Sequence, residues 1–477
     1  MTRFSGAARW RRWTYASVLT GALMVGLSGP QQLDAAVAGA VPTKAGSPAA
    51  SSGLLDPQPC ADQPGFSCGH LAVPLDRSGR VPGTLRLKVA VSDNVDAPRG
   101  VLLVLTGGPG QPGVPYVQSM VAALPEVARE YRLVMIDQRG TGGPAIDCPD
   151  LQQQVGSSDV AAATPEAIRD CAGSLGAARP FYTTADTVAD LDALRRALRV
   201  GSWVLDGVSY GTFVAQRYAL TYPRRADRLV LDSVVTQDNA DPLYVPAMAR
   251  SAWVLRKACQ EQSCPSDDPA EDLAVTLRRH GDGVRALDAL IILSIIDPKL
   301  TSPDFAVLDR LRQAAAGNPA PWQELLGWFS PGDSTPKEEF SAGLHLATLC
   351  PDFTDLPWGD SSAPMRGRDQ AVRRAVATLP PGSVWPFQPR TAGEQGFIAN
   401  CKQWPPTRPN PAPPHHRLTM PVLLLAGDRD LSTPLQWAED QLARTPRGEL
   451  VVIKGAGHSV QRRSPAGALA VTDFLLH

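Results

Sequence analysis

Short apolar runs that end at a glycine or a polar residue recur along much of the chain. These runs are Gly100–Leu105, Tyr131–Ile136, Trp203–Leu205, Arg228–Leu231, Pro421–Leu425 and Glu449–Ile453, after two earlier strand-like segments, His70–Pro74 and Thr84–Val91. Apolar runs without polar alternation are typical of strands buried on both faces. Segments with helical periodicity lie between them, such as Thr187–Leu198 and Thr212–Tyr222. The alternation predicts an α/β fold with a mostly parallel sheet flanked by helices.

The alternation stops over residues 237–417. This segment contains helix-like stretches at Ala247–Cys259, Pro269–His280 and Phe305–Ala316, then a proline-rich tail, and few strand signals. We therefore expect a sheet domain in two parts, residues 56–236 and 418–477. A mostly helical domain of residues 237–417 interrupts it, and we call this segment the helical insertion.

The N-terminus has the pattern of an export signal over residues 1–38. Four arginines at positions 3, 9, 11 and 12 precede the uncharged run Tyr15–Leu27, and Ala36-Val37-Ala38 fits a signal-peptidase site. The apolar run is short for a membrane span, although an uncleaved anchor and a twin-arginine signal remain alternatives. Residues 39–55 are rich in small residues and are expected to form a flexible leader. The sequence thus predicts a secreted protein without a stable membrane span after cleavage.

The overall charge argues against nucleic acid as a partner. Lysine and arginine number 46 and aspartate and glutamate 47, for a formal net charge of -1, whereas phosphate binding requires a basic surface. An apolar share of 43% is ample for a large core.

The eight cysteines favour an oxidising compartment. Their order suggests the neighbouring pairs Cys60–Cys68, Cys148–Cys171, Cys259–Cys264 and Cys350–Cys401, although order alone leaves other pairings open. No Cys-x-x-Cys motif is present, which argues against a zinc or thioredoxin-type site.

The segment Gly207-Val208-Ser209-Tyr210-Gly211 carries the strongest chemical signal. It follows an apolar run and opens an amphipathic helix, the context in which Gly-x-Ser-x-Gly forms a sharp strand-to-helix turn with an exposed serine. The alternative is an ordinary turn between glycines. The context favours Ser209 as a nucleophile.

A serine nucleophile needs a histidine base oriented by an acid, and in this architecture the acid and then the histidine follow later strands. His458 follows Glu449–Ile453, and Asp430 follows Pro421–Leu425. Asp428 competes with Asp430 as the orienting acid, and the spacing after the strand favours Asp430.

The reaction also needs donors for the developing oxyanion. The amide of Tyr210, directly after the nucleophile, is one candidate. The amide of Gly108, in the glycine-rich loop after Gly100–Leu105, is the other, because Pro109 has no amide hydrogen.

Taken together, these motifs resemble secreted tripeptidyl-aminopeptidase-like and prolyl-iminopeptidase-like serine peptidases of the α/β-hydrolase superfamily. The resemblance spans nearly the whole mature chain and rests on Cys60 and Cys68 with Val73-Pro74-Leu75-Asp76, Gly107-Gly108-Pro109-Gly110, Asp137-Gln138-Arg139-Gly140-Thr141-Gly142, Gly207–Thr212, Cys350-Pro351-Asp352, Cys401-Lys402-Gln403-Trp404, Asp430 with Thr433-Pro434, and Gly457-His458.

The resemblance implies an α/β-hydrolase fold whose helical insertion caps the catalytic residues. It implies an aminopeptidase that removes tripeptides or similar short units from free N-termini. An acidic residue of the insertion should bind the substrate ammonium, and Asp352 is the candidate. Neither a metal nor an organic cofactor is implied, and we expect a monomer. Thr106 stands where iminopeptidases carry histidine, which argues against proline specificity.

Two other functions remain compatible with these residues. A secreted carboxylesterase or lipase would use the same triad but would need no ammonium pocket. A catalytically silent binding protein could keep the fold. Epoxide hydrolases and dehalogenases are excluded because they carry aspartate where Ser209 stands.

Overall fold

The computed structural model describes residues 53–330 and 335–477. The predicted signal segment, and the leader up to residue 52, lie outside the described residues. The strands are β1 (Leu55–Pro59), β2 (Phe66–Pro74), β3 (Thr84–Ser92), β4 (Val101–Leu105), β5 (Arg132–Ile136), β6 (Trp203–Val208), β7 (Ala226–Asp232), β8 (Val422–Gly427) and β9 (Gly448–Ile453). They form one sheet in the order β1-β2-β3-β5-β4-β6-β7-β8-β9.

The sheet is parallel from β5 to β9 in this order, and it is antiparallel at the β1, β2 and β3 end. The predicted mostly parallel sheet is therefore confirmed. β1 was not predicted, because all five of its residues are exposed and its sequence has no apolar pattern.

Both faces of the sheet are buried along β4 to β8, as the apolar runs indicated. Along β4, Leu103 and Leu105 belong to one apolar cluster and Leu102 and Val104 to another, so successive residues serve opposite faces. The two clusters are the cores between the sheet and its flanking helices.

The helices before β8 that flank or connect the strands are α1 (Val117–Ala123), α2 (Pro125–Glu130), α3 (Pro149–Val155), α4 (Pro165–Leu175), α5 (Thr184–Ala197) and α6 (Tyr210–Thr221). Those after β8 are α16 (Leu435–Ala443), α17 (Val460–Arg463) and α18 (Pro465–Leu476). Short 3₁₀ helices occur at Val114–Tyr116, Gly176–Phe181 and Pro223–Arg225.

The chain between β7 and β8 is helical. It contains α7 (Val245–Gln262), α8 (Pro269–His280), α9 (Gly283–Ile296), α10 (Val307–Ala315), α11 (Ala320–Trp328), α12 (Ala342–Asp352), α13 (Arg368–Ala377), α14 (Pro389–Glu394) and α15 (Gly396–Gln403). The sequence pattern predicted α7, α8 and α10. It missed α9 and α11 to α15; the apolar residues of α9 surround the helix and leave no amphipathic period.

The eight cysteines form the four neighbouring pairs that their order suggested, namely Cys60–Cys68, Cys148–Cys171, Cys259–Cys264 and Cys350–Cys401. The last pair joins α12 to α15 within the helical insertion. Across the described ranges, no helix combines the length and apolarity needed to cross a membrane.

Candidate active site

Ser209 occupies the turn between β6 and α6 in a strained backbone conformation, with φ 58° and ψ −126°. The flanking glycines make this turn possible. A Cβ at Gly207 would lie 2.3 Å from the carbonyl oxygen of Gly211, and a Cβ at Gly211 would lie 2.4 Å from that of Leu105. The Gly-x-Ser-x-Gly pattern therefore has a steric cause here, and the turn presents a half-buried Ser209 at the carboxyl edge of the sheet.

Asp430 and His458 lie in the loops after β8 and β9 and are hydrogen-bonded to each other. Nδ1 of His458 is 2.8 Å from Oδ2 of Asp430. Asp430 is almost fully buried, and its Oδ1 accepts from the amides of Ser432 (2.8 Å) and Thr433 (3.0 Å). The hydroxyl of Thr433 donates to Oδ2 (2.7 Å). These donors fix the carboxylate so that Oδ2 faces the imidazole.

The charge of Asp430 changes the basicity of His458. Burial alone would lower the pKa of His458, but the charge and hydrogen bond of Asp430, with the more distant Asp232 and Asp159, outweigh it and raise that pKa. A histidine held in this way is suited to accept a proton from a hydroxyl.

The histidine loop is attached to the same strand end as the Ser209 turn. Asp232, the last residue of β7, accepts the amide of Ser209 through its carbonyl (2.9 Å) and the amide of Val460 through its carboxylate (2.9 Å). The hydroxyl of Ser233 accepts the amide of Ser459 (2.8 Å). Ser209 and His458 thus share one rigid support, although among the described residues no hydrogen bond joins their side chains.

The glycine loop after β4 lies directly against Ser209. A Cβ at Gly107 would be 2.9 Å from Cβ of Ser209 and 3.3 Å from its Oγ. Gly108 has φ 103°, which favours glycine. The amide of Tyr210 opens α6, where a helix has no internal acceptor for it. The two predicted oxyanion donors therefore flank Ser209.

Helix α12 holds the glycine loop in place. The amide of Ser341, the N-cap of α12, donates to the carbonyl of Gly110 (3.0 Å). Nδ1 of His345 lies 2.9 Å from the carbonyl of Pro109. The cleft above Ser209 is bordered by Gly108, Tyr210, Thr433, Phe397 and Asp159, with further residues of the described chain.

Several known proteins and family models are similar to this chain. Residues 100–256 match the family model described as alpha/beta hydrolase fold, and residues 389–477 match the one described as TAP-like protein. The serine protease Hip1 of Mycobacterium tuberculosis is 26% identical over 453 residues, covering 83% of this chain and 82% of that protein. The tripeptidyl aminopeptidase of Streptomyces coelicolor is 26% identical over 430 residues, covering 82% and 77%.

The chain is a serine hydrolase with the α/β-hydrolase fold. It resembles tripeptidyl-aminopeptidase-like serine peptidases over most of its length. Among solved structures, a proline iminopeptidase of Mycobacterium smegmatis is 17% identical, with a TM-score of 0.41, covering 86% of this chain and 98% of that one.

In this serine hydrolase, the two aspartates after β8 make different contacts. Oδ1 of Asp428 accepts the amide of Gly455 (2.7 Å) and joins the loops after β8 and β9. Asp430, by contrast, contacts His458.

Asp352 does not border the cleft of the described structure. It lies behind Tyr210, where the hydroxyl of Thr184 contacts both Oδ2 of Asp352 (2.5 Å) and the hydroxyl of Tyr210 (2.6 Å). Burial is the main cause that raises the pKa of Asp352 to about 7. Asp352 is therefore buried against Thr184 and away from the residues that border the cleft.

Asp159 does border the cleft, and the sequence analysis did not identify it. It follows Ser157 and Ser158 in a loop between α3 and α4, far from every recognised motif. No local pattern distinguishes it from a solvated loop aspartate.

Proposed function

We propose that this serine hydrolase is a secreted aminopeptidase that cleaves peptide bonds near free N-termini and releases tripeptides or similar short units. Ser209 is the nucleophile, His458 the general base and acid, and Asp430 the residue that orients the imidazole. The amides of Gly108 and Tyr210 bind the oxyanion. The proposal depends chiefly on the hydrogen-bonded His458–Asp430 pair, which shares its support with the strained Ser209 turn.

The proposed reaction has two acyl-transfer steps. Oγ of Ser209 attacks the scissile carbonyl carbon while its proton passes to Nε2 of His458, and the carbonyl oxygen becomes an oxyanion held by the two amides. His458 then gives this proton to the leaving amine as the C–N bond breaks. In the second step, a water loses a proton to His458 and attacks the acyl carbon. His458 then returns this proton to Oγ of Ser209 as the ester bond breaks and the short peptide leaves with a carboxyl terminus.

The proposed extracellular location is supported by two features. Four disulfides are stable in an oxidising compartment, and residues 1–38 have the pattern of an export signal. We propose a monomer that acts on peptides and binds no nucleic acid, consistent with the formal net charge of -1.

The test compares Ala-Ala-Pro-anilide with its N-acetylated form, using the wild type and Ser209→Ala. We expect the free-amine substrate to be cleaved, the acetylated one to be cleaved poorly, and the variant to be inactive on both. Equal cleavage of both peptides would contradict the exopeptidase proposal. Faster turnover of simple esters would then favour the carboxylesterase.

A further inference from the structure

Asp159 alone carries a formal charge among the residues that border the cleft at Ser209 in the described chain. Its side chain is 26% exposed, and the exposed part faces a cleft that is otherwise lined by small, apolar and uncharged polar groups such as Phe397, Leu349 and Thr433. Removing a carboxylate from water is costly unless a cation or hydrogen-bond donors compensate it. The position therefore calls for a positively charged partner.

The protein does not supply a permanent cation at this position. Within 4.0 Å of the Asp159 carboxylate, the described residues offer one basic group, Nε2 of His345, 3.5 Å from Oδ1. Nδ1 of His345 faces the carbonyl of Pro109 at 2.9 Å, and because a carbonyl only accepts, Nδ1 carries the proton. Burial lowers the pKa of His345, so the neutral ring presents an unprotonated Nε2 towards Asp159.

Oδ1 of Asp159 and Nε2 of His345 therefore face each other 3.5 Å apart without a hydrogen bond between them. Nε2 of His345 has no hydrogen-bond partner among the described residues. Burial raises the pKa of Asp159, so a cation beside the carboxylate would favour its charged form. A ligand that brings positive charge and several N–H donors would satisfy both groups at once.

The backbone around Asp159 is fixed by the helical insertion. The hydroxyl of Ser158 donates to Asp288 on α9 (2.6 Å), and the amide of Gly396 on α15 donates to the carbonyl of Val160 (2.7 Å). A Cβ at Gly396 would lie 2.7 Å from the carbonyl oxygen of Asp159, so the loop and the helix are in close contact. The backbone of Asp159 therefore keeps a set position relative to α9 and α15.

We infer that Asp159 binds the α-ammonium group of the substrate's N-terminal residue and that the adjacent His345 Nε2 accepts one of its hydrogens. This inference rests on the proposed aminopeptidase function and assigns the ammonium site to Asp159 in place of Asp352. An ammonium group has three donors and a full positive charge, which matches this pair of acceptors. Peptides with a blocked N-terminus lack this charge and cannot make the contact, so they should be poor substrates.

The test measures kcat/KM for Ala-Ala-Pro-anilide and its N-acetylated form in the wild type, Asp159→Asn and Asp352→Asn. Asparagine keeps the size of the side chain and removes only the charge. We expect Asp159→Asn to lower kcat/KM for the free-amine peptide by about 30-fold or more, as for other charge pairs shielded from water. Asp352→Asn, the matched control, should retain the wild-type ratio of free-amine to acetylated cleavage.

A second readout does not depend on peptide cleavage. The tripeptide Ala-Ala-Pro is used as a competitive inhibitor of p-nitrophenyl acetate hydrolysis, which involves no ammonium group. We expect its inhibition constant to rise about 30-fold or more in Asp159→Asn, while ester turnover falls by far less.

The outcomes separate this inference from the proposed function. A wild type that cleaves both peptides equally overturns the aminopeptidase proposal and this inference with it. A wild type that prefers the free amine, with an Asp159→Asn variant that keeps that preference, overturns only the assignment of Asp159. Loss of ester turnover together with peptide cleavage in Asp159→Asn also overturns it, because the residue would then support the fold of the site.

Discussion

Replacing Asp430 with asparagine should cost this enzyme nearly all of its activity without removing a side-chain contact. Oδ1 of Asp430 accepts two backbone amides, from Ser432 and Thr433. Because only the oxygen of asparagine accepts, these amides will hold that oxygen in the Oδ1 position. The side-chain NH₂ then takes the place of Oδ2, next to His458 and the Thr433 hydroxyl.

This arrangement changes which nitrogen of the His458 imidazole carries the proton. An NH₂ group donates to Nδ1 of His458, so the ring proton moves to Nε2, which can no longer accept the proton of Ser209. In a serine protease with the same constellation, the corresponding change lowers kcat about ten-thousand-fold. That factor corresponds to about 5 kcal/mol of transition-state stabilisation, and we expect a loss of this order here.

The pH profile gives a second readout. Asp430 is a cause of the raised pKa of His458. Activity requires the neutral imidazole, so kcat/KM of the wild type falls as the pH drops through this pKa. Without the carboxylate charge the pKa falls, and the acid limb of the residual activity should move to lower pH.

The assay is anilide hydrolysis by Asp430→Asn and the matched control Asp428→Asn. Asparagine at 428 keeps an oxygen for the amide of Gly455, and we expect this variant to retain activity within about threefold. The reasoning would be refuted if Asp430→Asn kept a tenth or more of the wild-type activity while Asp428→Asn was inactive. That result would show that Asp428 is the orienting acid.

Two further predictions concern stability. Gly457→Ala should lower the free energy of unfolding by about 2 to 3 kcal/mol, because its Cβ would stand 1.6 Å from the carbonyl oxygen of Ser294 on α9. Gly143→Ala is the control, because its Cβ would meet no atom within 4 Å, and it should change the free energy of unfolding by less than about 0.5 kcal/mol. Equal urea midpoints for the two glycine variants would contradict the packing argument. Replacing Cys350 and Cys401 by serine should cost about 4 kcal/mol and replacing Cys259 and Cys264 about 2 kcal/mol, because the sequence separations are 51 and 5. Urea unfolding under non-reducing conditions measures the loss of unfolding free energy in each disulfide variant. A larger loss for the Cys259–Cys264 variant than for the Cys350–Cys401 variant would count against a loop-closure origin of the stabilisation.

The local sequence was sufficient wherever one segment determines its own conformation. Apolar runs that end at a glycine or a polar residue identified β4 to β9, and β4 to β8 are mostly apolar at successive positions because both their faces are buried. The two glycines around Ser209 indicated the turn, because a side chain at either position would meet backbone atoms. The chain order of Ser209, Asp430 and His458 followed from the order of strands in such a sheet.

The sequence was insufficient where contacts join distant segments. β1 is exposed at every residue and α9 is apolar around its circumference, so neither shows a period that signals its structure. Asp352 lies in the recognised segment Cys350-Pro351-Asp352 and Asp159 lies in none, so the motifs pointed to Asp352 and away from Asp159. Their environments differ because Thr184 and Tyr210 enclose Asp352, whereas Asp159 faces the cleft beside His345.

The sequence by itself thus determined the strands, the nucleophile turn and the order of the candidate catalytic residues, since steric limits and burial along one segment decide these. Only the tertiary structure decided which carboxylate borders the cleft. Whether a carboxylate is enclosed by donors or left to face a cleft depends on side chains that other helices bring to it.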